Sequence, residues 1–218
     1  MPSSAVAPES VRSLSAAMRQ DSSDQHDAAE QSSFVTELLN GRVNEQGYID
    51  YLLRLREIYR ALEDAVRKHQ NDPLVSAVYD PALERLDAID ADLAHWAPGA
   101  DLEVDSAAVR AYCARFADAA WGGALVAHHY TRYLGDLSGG QAIGRILDRT
   151  FDMNGEGLAF YKFPMRAKPY KDAYRAALDG LDLDDSEINR VVDEVKLAFS
   201  LNQNLFHELA QNLPAYQR

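Results

Sequence analysis

The chain has 218 residues, of which 47% are apolar and 26% are charged, a composition typical of a globular protein with a sizeable core. Its formal charge of −12 argues against binding to nucleic acid or to an anionic membrane surface. The only cysteine, Cys113, allows no internal disulfide, and no stretch approaches the roughly 20 apolar residues of a membrane span. We therefore expect a soluble, cytoplasmic protein.

Helical periodicity dominates the chain, and no segment predicts a convincing strand. Residues 1–8 are expected to form a disordered tail. Apolar residues three and four apart predict four helices in the first half: residues 11–30, 34–40, 44–72 and 80–97. Asn44 and Asp80 are the predicted N-caps of the last two, and Gly41 and Pro98–Gly99 are predicted breaks.

The second half is also helical. The predicted helices begin at Ser106, run from about 122 toward 149, extend from 169 to 180, and run from 184 to 209. Asp184 and Glu187 have the spacing of a capping box. Seven or eight helices with short joins favour one all-α bundle, with a single domain at residues 9–212 and a C-terminal tail at 213–218.

The helix after Trp121 breaks a local rule, because it contains four glycines at about 1 kcal/mol each relative to alanine. Gly135 and Gly139 share one face, and Gly140 and Gly144 form a second pair beside it. Bare backbone of this kind allows a flat, wide ligand to lie close to the helix. Close helix–helix packing explains the same pattern equally well.

Asp136 adjoins this glycine face, and Arg132 precedes it by one helical turn. The two side chains form either a solvated surface pair worth roughly 0.3–0.5 kcal/mol or a carboxylate that orients water at a reactive centre. Among six histidines, His26 is followed one turn later by Glu30, which could orient its ring. His128 lies seven residues before Gly135, and periodicity alone does not choose between the two as a ligand.

The run from Ala127 to Gln141, AHHYTRYLGDLSGGQ, closely resembles the distal-helix motif of the heme oxygenase family. Four further segments resemble that family in the same order and spacing: residues 25–30, 157–161, 171–175 and 198–202. The resemblance spans roughly residues 10–210. Two positions depart from some relatives, since Ser23 stands where they carry a second lysine near the proximal histidine and His129 where they carry a smaller residue.

The resemblance implies that heme is both cofactor and substrate, held between a proximal helix and a kinked, glycine-rich distal helix. His26 is the implied axial iron ligand. Asp136 is the implied holder of a distal water network, supported by Arg132, Tyr59 and Asn202. The other implied heme contacts are Arg19, Glu30, Tyr130, Gly135, Ser138, Gly139, Lys171 and Arg175.

The implied reaction is oxidative cleavage of heme by O2 and electrons to biliverdin, CO and ferrous iron. Because the chain has no flavin or iron–sulfur motif, the electrons would come from a separate reductase or ferredoxin. The membrane anchor of animal relatives is not found, which favours a soluble bacterial type. Two alternatives are a heme carrier that leaves its ligand intact and a di-iron carboxylate oxidase, for which Asp92 and His95 offer only a lone approximation of the required motif.

Overall fold

The computed structural model describes residues 12–119 and 121–218, so the predicted tail at 1–8 and the predicted start of the first helix at Val11 lie outside the described residues. Within these ranges the chain is helical, without β-strands, as the sequence predicts. The α-helices described are α1 (Leu14–Gln20), α2 (Ser23–Glu30), α3 (Ser33–Leu39), α4 (Glu45–Lys68), α5 (Pro73–Ser76), α6 (Leu86–Trp96), α7 (Ala107–Ala117), α8 (Gly122–His129), α9 (Gln141–Phe151), α10 (Ala167–Asp179), α11 (Asp185–Ala210) and α12 (Leu213–Tyr216).

Helices α4, α7 and α11 begin where side-chain caps satisfy their first backbone amides. The Asn44 side chain accepts a 3.0 Å hydrogen bond from the Gly47 amide, and Ser106 accepts one from Val109. At the start of α11, Asp184 and Glu187 exchange reciprocal hydrogen bonds. These caps confirm the predicted starts of α4, α7 and α11, because each supplies an acceptor for amides that have no partner inside the helix.

The predicted first helix is wrong in one respect, since it is divided into α1 and α2. The Ser22 hydroxyl bonds back to the Met18 carbonyl at 2.5 Å, and Asp21 and Ser22 form the join. Serine competes in this way with the backbone hydrogen bonds of a helix. His26 therefore lies on a separate helix, α2.

A second correction concerns the predicted helix at 80–97. Asp80 caps only a short 3-10 turn, Pro81–Leu83, and α6 begins at Leu86. The buried Glu63 of α4 accepts the amides of Arg85 and Leu86 at 2.6 and 3.2 Å, so the cap of α6 comes from another helix. Sequence spacing gives no sign of a cap supplied from more than 20 residues away.

Helices α8 and α9 belong to one interrupted helix, residues 122–151. Between them lie two π-helical segments, Tyr130–Leu134 and Asp136–Gly140, separated by Gly135. A π-helical turn widens the helix and shifts its hydrogen-bond register, and such turns are frequent at functional sites. The interruption coincides with the glycines that the sequence singles out.

The core lies where α4, α11 and the interrupted helix pack together, with α6 and α7 against α4 and α1 to α3 against α11. Residues 213–218, expected to be a tail, contain α12, and the buried Tyr216 packs against α4 and Phe34. Phe34 and Gly47 provide the apolar surface that holds it. None of the described helices combines the length and the apolar character that crossing a bilayer requires.

Candidate functional site

A cavity of about 710 Å³ separates α2 from the interrupted helix. Helices α3, α4 and α11 supply most of the remaining wall, and α1, α10 and the turn at Phe160 and Tyr161 complete it. Its volume falls within the roughly 300–1,000 Å³ of pockets for cofactor-sized ligands. Apolar side chains cover more of its wall than polar ones, so the site suits a large ligand with a few polar groups.

The two glycine pairs of the interrupted helix have different surroundings. A Cβ atom built on Gly135 would meet nothing within 4 Å, and one on Gly139 would meet only a Glu30 oxygen at 3.9 Å. A Cβ atom on Gly144 would lie 2.9 Å from the Cβ and Cγ atoms of Tyr161. The first pair therefore presents bare backbone to the cavity, whereas Gly144 permits close packing. Both interpretations of the glycine pattern hold, at different positions.

His26 stands on the opposite wall, on α2, with 48% of its side chain exposed. Its Nε2 atom lies 3.4 Å from Glu30 Oε1 and its Nδ1 atom 3.3 Å from Asp27 Oδ1. Both distances exceed the 2.7–3.2 Å of a good N–H···O hydrogen bond, so neither nitrogen is firmly committed. The ring of Phe199 packs edge-on against the imidazole at 5.5 Å.

His128, the rival ligand, is buried away from the cavity. Its Nε2 atom lies 2.9 Å from Glu194 Oε1, and Arg115 binds the same carboxylate. Burial lowers the pKa of the His128 imidazole. Burial raises the pKa of Glu194, but the hydrogen bonds from Arg115 and His128 outweigh it and bring that pKa to about 2. His128 thus joins α7, α8 and α11 and does not face the cavity.

A buried polar chain lies behind the glycine face. Arg132 Nη1 donates to Asn202 Oδ1 at 2.7 Å, and Arg132 Nε donates to the Tyr59 hydroxyl at 3.2 Å. The Tyr59 hydroxyl in turn donates to Asp136 Oδ2. Arg132 and Asp136 are therefore not a solvated surface pair, since both are more than nine-tenths buried and Tyr59 connects them.

Asp136 is the carboxylate of the buried polar chain, and it also lines the cavity wall. Burial raises its pKa, while the charge of Arg132 and the Tyr59 hydrogen bond act in the opposite direction. No hydrogen-bond partner for its Oδ1 atom occurs in the described part of the chain, whereas Oδ2 is held by Tyr59. The carboxylate is thus fixed at one oxygen and open to a cavity ligand at the other.

Positive charge gathers at the cavity edge near α1 and α10. This basic rim consists of Arg19, Lys171 and Arg175; Arg19 and Arg175 line the cavity. Lys171 donates to the Ser138 hydroxyl at 2.7 Å across the mouth. Partial burial and the neighbouring Arg175 lower the pKa of Lys171. Like charges held together in this way favour a ligand that brings anionic groups.

The structure brings the predicted site residues together. Those that line the cavity are Arg19, His26, Glu30, Tyr130, Arg132, Gly135, Asp136, Ser138, Gly139, Arg175 and Asn202. Tyr59 lies one layer behind Asp136, and Lys171 lies at the mouth on Ser138. Of the two departures, Ser23 lines the cavity edge, and the buried His129 bonds to the Tyr174 hydroxyl at 2.8 Å.

Sequence reasoning missed the aromatic part of the wall, which is formed by Tyr51, Phe160, Tyr161, Phe199 and Phe206. Phe199 falls in the segment 198–202 that resembles the heme oxygenase family, but it is not one of the implied heme contacts. Asp92 was considered as a metal ligand, but it accepts the amides of Ala159 and Phe160 at 2.6 and 2.8 Å. Among the described residues no group of three or more His, Cys, Asp or Glu side chains is placed to hold a metal ion.

Comparison with known proteins agrees with this geometry. Residues 12–208 match the family model described as heme oxygenase. Heme oxygenase of Rhodella violacea is 36% identical over 206 residues, which cover 91% of this chain and 88% of the relative. Heme oxygenase 1 of Homo sapiens is 36% identical over 209 residues, which cover 92% of this chain and 73% of the relative.

Solved structures resemble the fold equally well. Heme oxygenase-2 from Synechocystis sp. PCC 6803, solved in complex with heme and NO, superposes with a TM-score of 0.89 at 34% identity, covering 94% of this chain and 88% of that one. Heme oxygenase from Leptospira interrogans gives a TM-score of 0.86 at 32% identity, covering 90% of this chain and 100% of that one. The chain therefore belongs to the heme oxygenase family.

Proposed function

We propose that this chain binds heme in the cavity between α2 and the interrupted helix and cleaves it oxidatively to biliverdin. One observation carries the proposal. A half-exposed imidazole and a face of bare glycine backbone stand on opposite walls of one cavity, beside a buried carboxylate. When bound, heme supplies the iron and ring chemistry through which O2 and electrons release biliverdin, CO and ferrous iron.

The residues present fit this group. His26 would hold the iron through an imidazole nitrogen, and Glu30, one helical turn later, would orient the ring. Gly135 and Gly139 leave the space that side chains would otherwise occupy. The basic rim of Arg19, Lys171 and Arg175, with Tyr130 beside it, would pair with the heme propionates and so fix the orientation of the macrocycle.

Asp136 would manage protons on the side of the cavity opposite His26. Its Oδ2 atom is held by the Tyr59 hydroxyl, and Oδ1 would hold a water in the cavity. Acting through water lets the carboxylate supply protons without touching the reacting centre. Arg132 and Asn202 hold Tyr59 and the carboxylate in place, and burial raises the pKa of Asp136.

The partners follow from the same proposal. Electrons would come from a separate reductase or ferredoxin that approaches the exposed edge of the cavity, and O2 is the second substrate. We place this chemistry in the cytoplasm, in keeping with a single cysteine, Cys113, that is not paired in a disulfide.

The test is the addition of ferric heme followed by a reductant under air. We expect a one-to-one heme complex whose absorption is replaced by that of biliverdin. A stable complex that keeps its heme after reduction would instead support the carrier. No uptake of heme at micromolar concentrations would refute the proposal altogether.

A further inference from the structure

The phenol of Tyr51 lies beside the buried polar chain, close enough to Arg132 for that guanidinium to lower its pKa, but the two side chains form no hydrogen bond of good geometry. Tyr51 stands on α4 about two helical turns before Tyr59. It is 6% exposed, and it lines the same cavity as Arg132 and Asp136. Within residues 12–119 and 121–218 no hydrogen-bond partner of good geometry is found for its hydroxyl, whereas the Tyr59 hydroxyl has two.

The surroundings of Tyr51 fix its ring and leave its hydroxyl to the cavity. The ring packs against Phe34 at 5.7 Å and Phe206 at 6.2 Å between centroids. Burial raises the pKa of the phenol, which Arg132 lowers and Asp136 raises again, so these two are the charges that act on it. Unlike the Tyr48 hydroxyl, the Tyr51 hydroxyl is not among the fully enclosed side-chain atoms that have no partner, so it is open to the cavity, where an acceptor can take its hydrogen bond.

We infer that Tyr51 is a further hydrogen-bond donor of this cavity, aimed at the ligand or water that occupies the space beside Asp136. The inference deepens the proposed function and rests on heme binding. The neighbouring Tyr48 provides contrast, since it is fully buried, its hydroxyl has no hydrogen-bond partner among the residues that the structure describes, and it does not line the cavity. A hydroxyl at position 48 therefore has no access to a bound ligand, while one at 51 has.

The experiment compares Tyr51→Phe with the matched control Tyr48→Phe in the ferric heme complex at neutral pH. Fluoride is the probe, because an iron-bound fluoride accepts hydrogen bonds from nearby donors. A lost hydrogen bond worth about 1 kcal/mol corresponds to a roughly 5-fold weaker fluoride affinity. We expect that loss, with a shifted charge-transfer absorption band, in Tyr51→Phe only.

Heme affinity and the thermal midpoint of the heme-free protein serve as controls, because both rings keep their packing after the substitution. Fluoride affinity and band position equal to wild type in Tyr51→Phe would overturn the inference, as would an equal loss in Tyr48→Phe. Failure of the wild-type protein to take up heme would refute the proposed function itself. Heme uptake is measured before fluoride is added, so the two outcomes are distinguishable.

Discussion

Replacing single glycines of the interrupted helix by alanine tests which of them face open space and which are packed against other residues. Gly135 has helical dihedral angles, φ −62° and ψ −49°, which alanine adopts without strain. Because its added Cβ meets nothing within 4 Å, Gly135→Ala gains only the helix propensity of alanine, about 0.8–1 kcal/mol. For a chain of this size that gain raises the melting temperature by about 2–4 °C.

Gly144→Ala is expected to do the opposite. Its Cβ would lie 2.9 Å from Cβ and Cγ of Tyr161, atoms near the backbone that cannot swing aside. Overpacking of this kind costs about 1–3 kcal/mol, so the net change after the propensity gain is a loss of up to about 2 kcal/mol.

Gly135→Ala, although it stabilises the heme-free protein, is expected to weaken heme binding. In Gly135→Ala the new methyl group occupies space that the macrocycle needs, and a clash of about 1–3 kcal/mol lowers heme affinity roughly 5- to 150-fold. The assays are urea or thermal unfolding of the heme-free protein and titration with heme. A heme-free Gly135→Ala protein less stable than wild type, or one with unchanged heme affinity, would refute the reasoning.

Three further outcomes are expected. Asp136→Asn should bind heme normally but form biliverdin at least about 10²-fold more slowly, because the carboxylate is lost and its place is kept; an unchanged rate in a single-turnover assay removes Asp136 from proton delivery. His128→Gln should lower the melting temperature without altering the heme absorption spectrum, and an altered spectrum would return His128 to the list of ligands. The folded-state pKa of Glu194, about 2, is below its ordinary value, so its contribution to stability is present above about pH 4.5 and is lost as pH falls toward 2. Acid unfolding of Glu194→Gln should therefore take up as much as about one proton less than wild type over that range, and equal uptake contradicts the assignment.

Local rules predicted much of the helical framework. The caps at Asn44, Ser106 and Asp184 were recognisable because a capping side chain and its amide lie three residues apart. The break at Ser22 and the π-helical segments escaped prediction, since they change hydrogen-bond register without changing apolar periodicity.

For the site, too, the sequence predicts some residues and not the long-range contacts that they make. Motif resemblance singled out His26 and Asp136, but periodicity could not separate His26 from His128, because the carboxylate that engages His128 lies 66 residues away at Glu194. The Tyr59–Asp136 hydrogen bond likewise joins residues 77 apart. The sequence does not identify Tyr51 as a site residue, because an aromatic residue inside a helix usually indicates core. Only the structure shows that Tyr51 lines the cavity.

The most direct test of the central claim is a resonance Raman measurement of the ferrous heme complex of His26→Ala, with and without added imidazole. We expect the iron–histidine stretching band of wild type to disappear in the variant. We also expect imidazole, which fits the space left on α2, to restore both the band and biliverdin formation. A band that persists unchanged in His26→Ala would show that another side chain holds the iron, and the placement of heme against α2 would be wrong.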